Sequence, residues 1–410
     1  GSPFEAEKEQ MTVNSSNNKD YSETNTQVQG VDEADIVKTN GKNIFYLSNK
    51  DNILRAFDSS SDEIKLIHEI KMENNFYGTQ LYLDDDYIVL LSNGYIEEKE
   101  EEKNDFKYFN SRQVTKVFIY DINSFELVRE IETEGNVISS RKIGKDLYIV
   151  TNKYISYYSF DEDNILPIYK DTCGSGDGYE EISATDIRYF DDLGENEECN
   201  YMIITSLSLD EMKSKVNINT FLGAGSEVYC SRENLYVAKV NYNYSESGLW
   251  NKRIAISSAS AKDNTTTSIH KFAISDGDIK YVATGEVKGS LLNQFSMDEY
   301  DGNFRITTTT SDAGNNLFVL NKELKNIGSV ENLASGERIY ATRFMGDKAY
   351  VVTYKTVDPL FVIDLSRPET PKVLGELKIP GYSSYLHPLG ENYLIGIGED
   401  SVEKSYLNWE

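Results

Sequence analysis

The chain is short of the residues on which most catalytic and metal sites are built. Only three histidines occur in 410 residues, His68, His270 and His387, and they are far apart. No HExxH, GxSxG or P-loop pattern is present, which excludes the commonest zinc-protease, hydrolase and phosphate-cradle designs. The three cysteines, Cys173, Cys199 and Cys230, form no CxxC pair, so a structural zinc site is excluded. Proline is scarce, at 7. No apolar run approaches the roughly 18 residues that a membrane-spanning helix needs. Basic residues number 41 against 68 acidic, a formal net charge of −27. Such a surface repels phosphate backbones and anionic lipid, so nucleic acid is excluded as a partner.

What is abundant suits sheet. Tyrosine reaches 29, and hydrophobic residues make up 39% of the chain against 27% charged. That balance supports a real core, and Tyr, Val, Ile and Thr fit pleated, half-buried surfaces. One pattern recurs: a Gly or acidic turn, then a short apolar strand ending in Thr or Ser. TNGKNIFYLS (39–48), KIGKDLYIVT (142–151), FMGDKAYVVT (344–353) and PLGENYLIGI (388–397) are clear copies, and LDDDYIVLLS, CSRENLYVAK and YDGNFRITTT are looser ones. A second pattern follows most of them: an apolar strand, a polar turn and a more charged strand, as in KVFIYDINSFELVREIE and LFVIDLSRPETPKVLGELKI. These read as strand pairs A–B and C–D, the charged strand D lying on the outside. Seven A–B and six C–D hairpins are found. The chain is therefore expected to be all-β: a β-propeller of four-stranded antiparallel blades, seven in number, or eight if chain is missing. The last blade is incomplete, and residues 24–30, TNTQVQG, are a candidate for one missing strand.

Residues 1–20 are expected to be a disordered tail carrying an expression scar at Gly1 and Ser2, and residues 21–410 one propeller domain. In such a domain strand A lines the axis, and the B–C loops share one face with the D-to-A connections. The long insertions fall at B–C positions, about 93–113, 152–199 and 241–267. Long loops on a rigid scaffold are where binding resides. Their aromatics Tyr108, Phe109, Tyr157, Tyr158, Tyr242, Tyr244 and Trp250 are candidates for a partner contact, the bland alternative being that they pack the loops onto the scaffold. The run EEKEEEK reads as a solvated hairpin tip or short helix. Cys173 and Cys199 flank a Gly- and acid-rich stretch; in an oxidising compartment they form a candidate disulfide, and otherwise two free thiols. Cys230 reads as a buried small hydrophobe.

The segment YSETNTQVQGVDEADIVKTNGK, followed by a strand and FD, resembles the start of the secreted bacterial and archaeal β-propeller-domain family, distantly related to the tryptophan–aspartate-repeat propellers. GSEVYCSRENLYVAKVNY, SIHKFAI, ERIYATRFMGDKAYVVTY and DPLFVIDLSRPETPKVLGELKIPGYSSYLHPLGENYLIGIG resemble it too. The resemblance covers most of the chain from about residue 21. It implies an exported, often envelope-associated propeller without established activity, its targeting segment absent from this sequence, and it brings no catalytic residues.

Asp32, Glu33 and Asp35 precede the first strand A, near the axis. They are candidate ligands for Ca2+, the one cofactor considered, although that ion takes six to eight oxygens and these acids alone do not supply them. The alternative is a charged turn that fixes the start of the ring. Two functions are weighed: a monomeric, non-catalytic binding or scaffold module for a protein or cell-surface glycan, and a cation-dependent hydrolase or lyase at the axial channel. The shortage of histidine favours the first.

Overall fold

Strand B of each repeat is apolar on both sides, because each sheet is to be sandwiched between two others. In β19 (Asn234–Asn241), Leu235 and Val237 pack towards the preceding sheet, whereas Tyr236 and Ala238 pack towards the following one. Successive side chains on a strand point to opposite faces, so one strand serves two cores. The A–B turns are tight. Gly144 and Gly346 open two-residue turns with φ of +57° and +54°, a conformation that glycine adopts without strain and that suits strand twist.

The computed structural model describes residues 26–97, 101–103, 106–108, 111–155, 165–174, 178–190, 200–242, 264–311, 314–354, 358–379, 381–390 and 392–399. The first sheet runs in the order β1 (Val37–Thr39), β2 (Asn43–Ser48), β3 (Ile53–Asp58), β4 (Lys65–Lys71). The second blade is β5 (Phe76–Leu83), β6 (Tyr87–Glu97), β9 (Ser111–Asp121) and β10 (Leu127–Glu134), with a small hairpin of β7 (Glu101–Lys103) and β8 (Phe106–Tyr108) in its B–C connection. The third is β11 (Asn136–Ile143), β12 (Asp146–Lys153), β16 (Tyr201–Ser208) and β17 (Asn217–Leu222). The fourth is β18 (Glu227–Cys230), β19, β20 (Thr266–Ser275) and β21 (Asp278–Lys288). The fifth is β22 (Met297–Tyr300), β23 (Asn303–Thr310), β24 (Gly314–Leu320) and β25 (Asn326–Leu333). The sixth is β26 (Arg338–Met345), β27 (Lys348–Tyr354), β28 (Asp358–Asp364) and β29 (Lys372–Ile379). A final antiparallel hairpin pairs β30 (Tyr382–Leu389) with β31 (Tyr393–Glu399). All four-strand units are antiparallel and in chain order, the expected A–B–C–D meander.

Hydrophobic clusters lie between neighbouring blades. Leu54 and Ala56 meet Leu81 and Leu90 between the first and second blades. Val89 and Ile119 meet Leu147 and Ile149 between the second and third. The series continues to the last pair, where only Ala341, Val352 and Leu386 are fully buried. Beyond it, β31 leaves Tyr393, Ile395 and Ile397 exposed.

Two expectations need correction. Residues 26–31 do not pair with β30 or β31; they lie against the inner strands of blades three to five, where Val31 is buried. The apolar Val28 and Val31 find interblade cores there, which an exposed strand edge does not offer. The 152–199 insertion is not simply a loop on one face. β13 (Ile168–Asp171) pairs antiparallel with β10 and β14 (Glu180–Glu181) pairs with β13, whereas β15 (Ile187–Tyr189) runs parallel to β17. The insertion thus caps the outer edges of both the second and third blades, satisfying backbone groups that an open edge would expose.

Candidate functional site

The N-terminal segment runs against the inner strands of several blades. Asp32 exchanges backbone hydrogen bonds with Lys142 of β11 (2.7 and 3.0 Å), and Asp35 does so with Leu81 of β5 (3.2 and 2.9 Å). Gln27 Nε2 donates to the carbonyls of Gln294 (3.2 Å) and Met297 (2.9 Å), at the entry to β22. Arg232 Nε donates to the carbonyl of Gln29 at 2.9 Å. One short segment therefore ties blades two, three, four and five together.

Each of the three acids accepts a hydrogen bond from the fold. Lys38 Nζ donates to Asp32 Oδ1 at 2.7 Å and to the Glu33 carbonyl at 2.7 Å. Glu33 Oε1 accepts from the Gln27 amide at 3.0 Å, and its Oε2 accepts from Gln294 Nε2 at 3.3 Å. Asp35 Oδ1 accepts from the Ile36 amide at 2.7 Å. Among the described residues no three His, Cys, Asp or Glu side chains come together in a way that holds a metal.

Buried arginines extend the network. Arg141 Nη2 donates to Gln294 Oε1 at 2.6 Å and to the Val228 carbonyl at 3.2 Å. Arg305 forks onto Asp298 and donates to the Gly346 carbonyl at 2.6 Å. Burial holds the Asp298 carboxyl above its usual range, outweighing the Arg305 guanidinium beside it. Burial likewise pushes the Arg343 guanidinium down; it stands 5.6 Å from the Phe295 ring, and its buried Nη1 has no hydrogen-bond partner among the described residues.

The B–C face is different in kind. Tyr77 is the second residue of β5, Tyr95 lies near the end of β6, Tyr154 follows β12 and Tyr242 follows β19. They are 60%, 47%, 56% and 63% exposed, and all sit where strands enter or leave that face. Of the aromatics expected from sequence, Tyr242 is here and Tyr108 lies in β8. Phe109, Tyr157, Tyr158, Tyr244 and Trp250 lie outside the described residues. Cys173 is exposed, and Cys199 lies outside the described residues. Cys230 is buried, as expected.

The histidines stay apart. His68 is exposed on β4 and stacks on Phe125 at 4.4 Å. His270 is buried in β20, stacked on Phe190 at 3.6 Å, with Nδ1 2.8 Å from Thr284 Oγ1. His387 is half-buried on β30, with Nδ1 3.4 Å from the Tyr385 hydroxyl. Sequence reasoning missed a further group on the B–C face, Tyr340, Tyr354 and Tyr382. Their signal was tyrosine recurring at strand ends, in ERIYATRF, AYVVTY and PGYSSY.

Comparison with known proteins agrees with the fold. An uncharacterized protein of Methanocaldococcus jannaschii is 32% identical, the match covering 94% of this chain and 66% of that protein. One of Archaeoglobus fulgidus is 28% identical, covering 93% and 67% respectively. The chain thus spans about two thirds of the length of these curated relatives. Among solved structures, the C-terminal WD40 domain of Sif2 matches 88% of this chain and 92% of its own, at 12% identity and a TM-score of 0.31. BamB from Moraxella catarrhalis matches 89% and 94%, at 10% identity and 0.31; both likenesses are too distant to carry function. The Beta propeller domain family model matches residues 21–409, and the chain belongs to that family.

Proposed function

We propose that this protein is a non-catalytic binding propeller, exported and held at the cell envelope, that engages a protein or glycan partner through its B–C face. The observation that carries the reading is the contrast between the two candidate regions. At the axis, the acids are hydrogen-bonded to groups of the fold itself. On the B–C face, Tyr77, Tyr95, Tyr154 and Tyr242 are exposed on three rigid, adjacent blades. Tyrosine offers a large contact area with few rotatable bonds and a hydroxyl at its tip, which suits a protein surface or the face of a sugar ring. Export follows the family resemblance, and the acidic surface keeps such a protein soluble and apart from anionic lipid.

The test is capture of a partner from envelope and secreted fractions of the source cell. The bait is compared with a variant in which residues 98–110 and 243–263 are replaced by short turns. The 152–199 insertion is left in place because it carries β13–β15, which seal two blades. A partner lost with the variant supports the reading. A partner held equally by both, or activity that depends on added Ca2+ and disappears in chelator, overturns it.

A further inference from the structure

Blades six and seven bring three tyrosines together at one end. Tyr340 lies near the start of β26, Tyr354 ends β27 and Tyr382 begins β30. Their ring centroids form a triangle: 5.4 Å from Tyr340 to Tyr354, 5.0 Å from Tyr340 to Tyr382, and 5.1 Å from Tyr354 to Tyr382. The rings are inclined at 82°, 61° and 36° respectively, and all three residues are half-buried. A-strand starts and B-strand ends share the B–C face, so the cluster lies on the face already proposed for binding.

One carboxylate stands at the same end. Glu399, the last residue of β31, is exposed and lies opposite Tyr382 in register. Among the described residues, it forms no ion pair and no Lys or Arg stands over any of the three rings. Arg338, opposite Tyr354 in register, is exposed.

We propose that this cluster docks a cationic side chain, Arg or Lys, from a basic peptide segment of the partner. The faces of aromatic rings are electron-rich and attract a guanidinium or ammonium group within about 6 Å of the centroid. The Glu399 carboxylate adds charge attraction, and the net charge of −27 draws a basic segment to the surface before contact. An anionic glycan is repelled by the same groups. A neutral sugar stacks flat on one open ring; three rings inclined to one another beside a carboxylate fit a cation better. The proposal rests on the reading of the B–C face as the binding face.

The probe is a fluorescently labelled peptide of alternating Arg and Gly, followed by anisotropy at fixed ionic strength. The variants are the pair Tyr354→Leu with Tyr382→Leu, the pair Tyr354→Phe with Tyr382→Phe, and the distant pair Tyr77→Leu with Tyr242→Leu. All keep the net charge, so any difference reads the rings and not the field. The leucine pair at 354 and 382 is expected to weaken binding about fivefold to tenfold, and the phenylalanine pair to stay within about twofold of wild type. Tetramethylammonium, which makes no hydrogen bonds, is expected to displace the peptide from wild type. The inference is overturned if the leucine pair binds like wild type, if the distant pair weakens binding as much, or if tetramethylammonium fails to compete. Should the leucine pair not fold, the competition decides alone. Partner capture that needs the insertions, with a peptide indifferent to the three tyrosines, sinks this inference and leaves the binding face standing. Peptide binding that needs the tyrosines, with a partner held equally by the loop-replaced bait, upholds the cation site and sinks the insertion reading.

Discussion

Arg129 and Asp171 form an ion pair in which both side chains are fully buried, and the pair joins two blades' worth of chain. Arg129 is on β10, the outer strand of the second blade, and Asp171 ends β13, which comes from the third blade's insertion. Nε–Oδ1 is 3.0 Å and Nη2–Oδ2 is 2.7 Å. Two further guanidinium hydrogens go to the carbonyls of Met212 (3.1 Å) and Ser214 (2.8 Å). Asp171 also accepts from the amides of Cys173 and Val216, each at 3.1 Å. A buried ion pair repays its desolvation only when its remaining donors and acceptors are satisfied in this way.

Removing one partner should therefore cost far more than removing both. Asp171→Ala is expected to lower stability by about 3–5 kcal/mol, because a guanidinium is left buried without its carboxylate. Arg129→Met combined with Asp171→Leu should recover most of that loss. Urea denaturation of the three proteins measures it, and equal losses in the single and double variants would show that the pair is not what holds the insertion down.

The same carboxylate sets an acid limb. Burial pushes Asp171 up, but the Arg129 hydrogen bonds and two backbone amides pull it below the ordinary carboxylate value. A depressed carboxyl contributes stability that is present above the unfolded value of about 3.9 and is lost as pH falls through the lower folded value. Asp298, which burial raises, acts in the opposite direction. The difference between wild type and Asp171→Asn isolates the first effect. It should narrow below about pH 4; a difference constant from pH 7 downwards would contradict the assignment.

The N-terminal crossing should stabilise the blades it joins. Val31 is 1% exposed in the core shared by the third and fourth blades, and Val31→Ala is expected to cost about 2 kcal/mol. Asp32→Asn takes the carboxylate from buried Lys38 and should cost about 1–2 kcal/mol. Because each acid of the segment is held by a protein group, chelator should leave the melting temperature of wild type unchanged. A fall in chelator, restored by Ca2+, would place an ion at the axis instead.

Thiol chemistry should separate two cysteines. Cys173 is exposed and Cys230 is buried; burial pushes the Cys230 thiol up to about 12. A thiol at that value is almost wholly protonated near neutral pH and unreactive. Brief treatment with iodoacetamide under reducing, native conditions should alkylate Cys173 and spare Cys230 until denaturant is added, as read by peptide mass spectrometry.

The sequence by itself determined the repeating unit. Alternation in NLYVAKVN and KAYVVTY, with turns at Gly144 and Gly346, is enough to specify short strands joined as hairpins, because side-chain period and turn backbone are local properties. It also marked where the insertions leave the scaffold, since the B–C spacing is visible along the chain. Tertiary structure alone decided where those segments go. Nothing in IYKD announces a strand on the neighbouring blade's edge; that pairing spans Ile131 to Asp171 and is stabilised by a guanidinium from another repeat. Nothing in VDEAD announces that Asp32 meets Lys38 and that Glu33 meets Gln27 and Gln294. Tyr340, Tyr354 and Tyr382 become one cluster only when two blades pack side by side. Local periodicity fixes strands because it acts within a few residues, whereas these sites depend on contacts between distant parts of the chain that only the packed blades bring together.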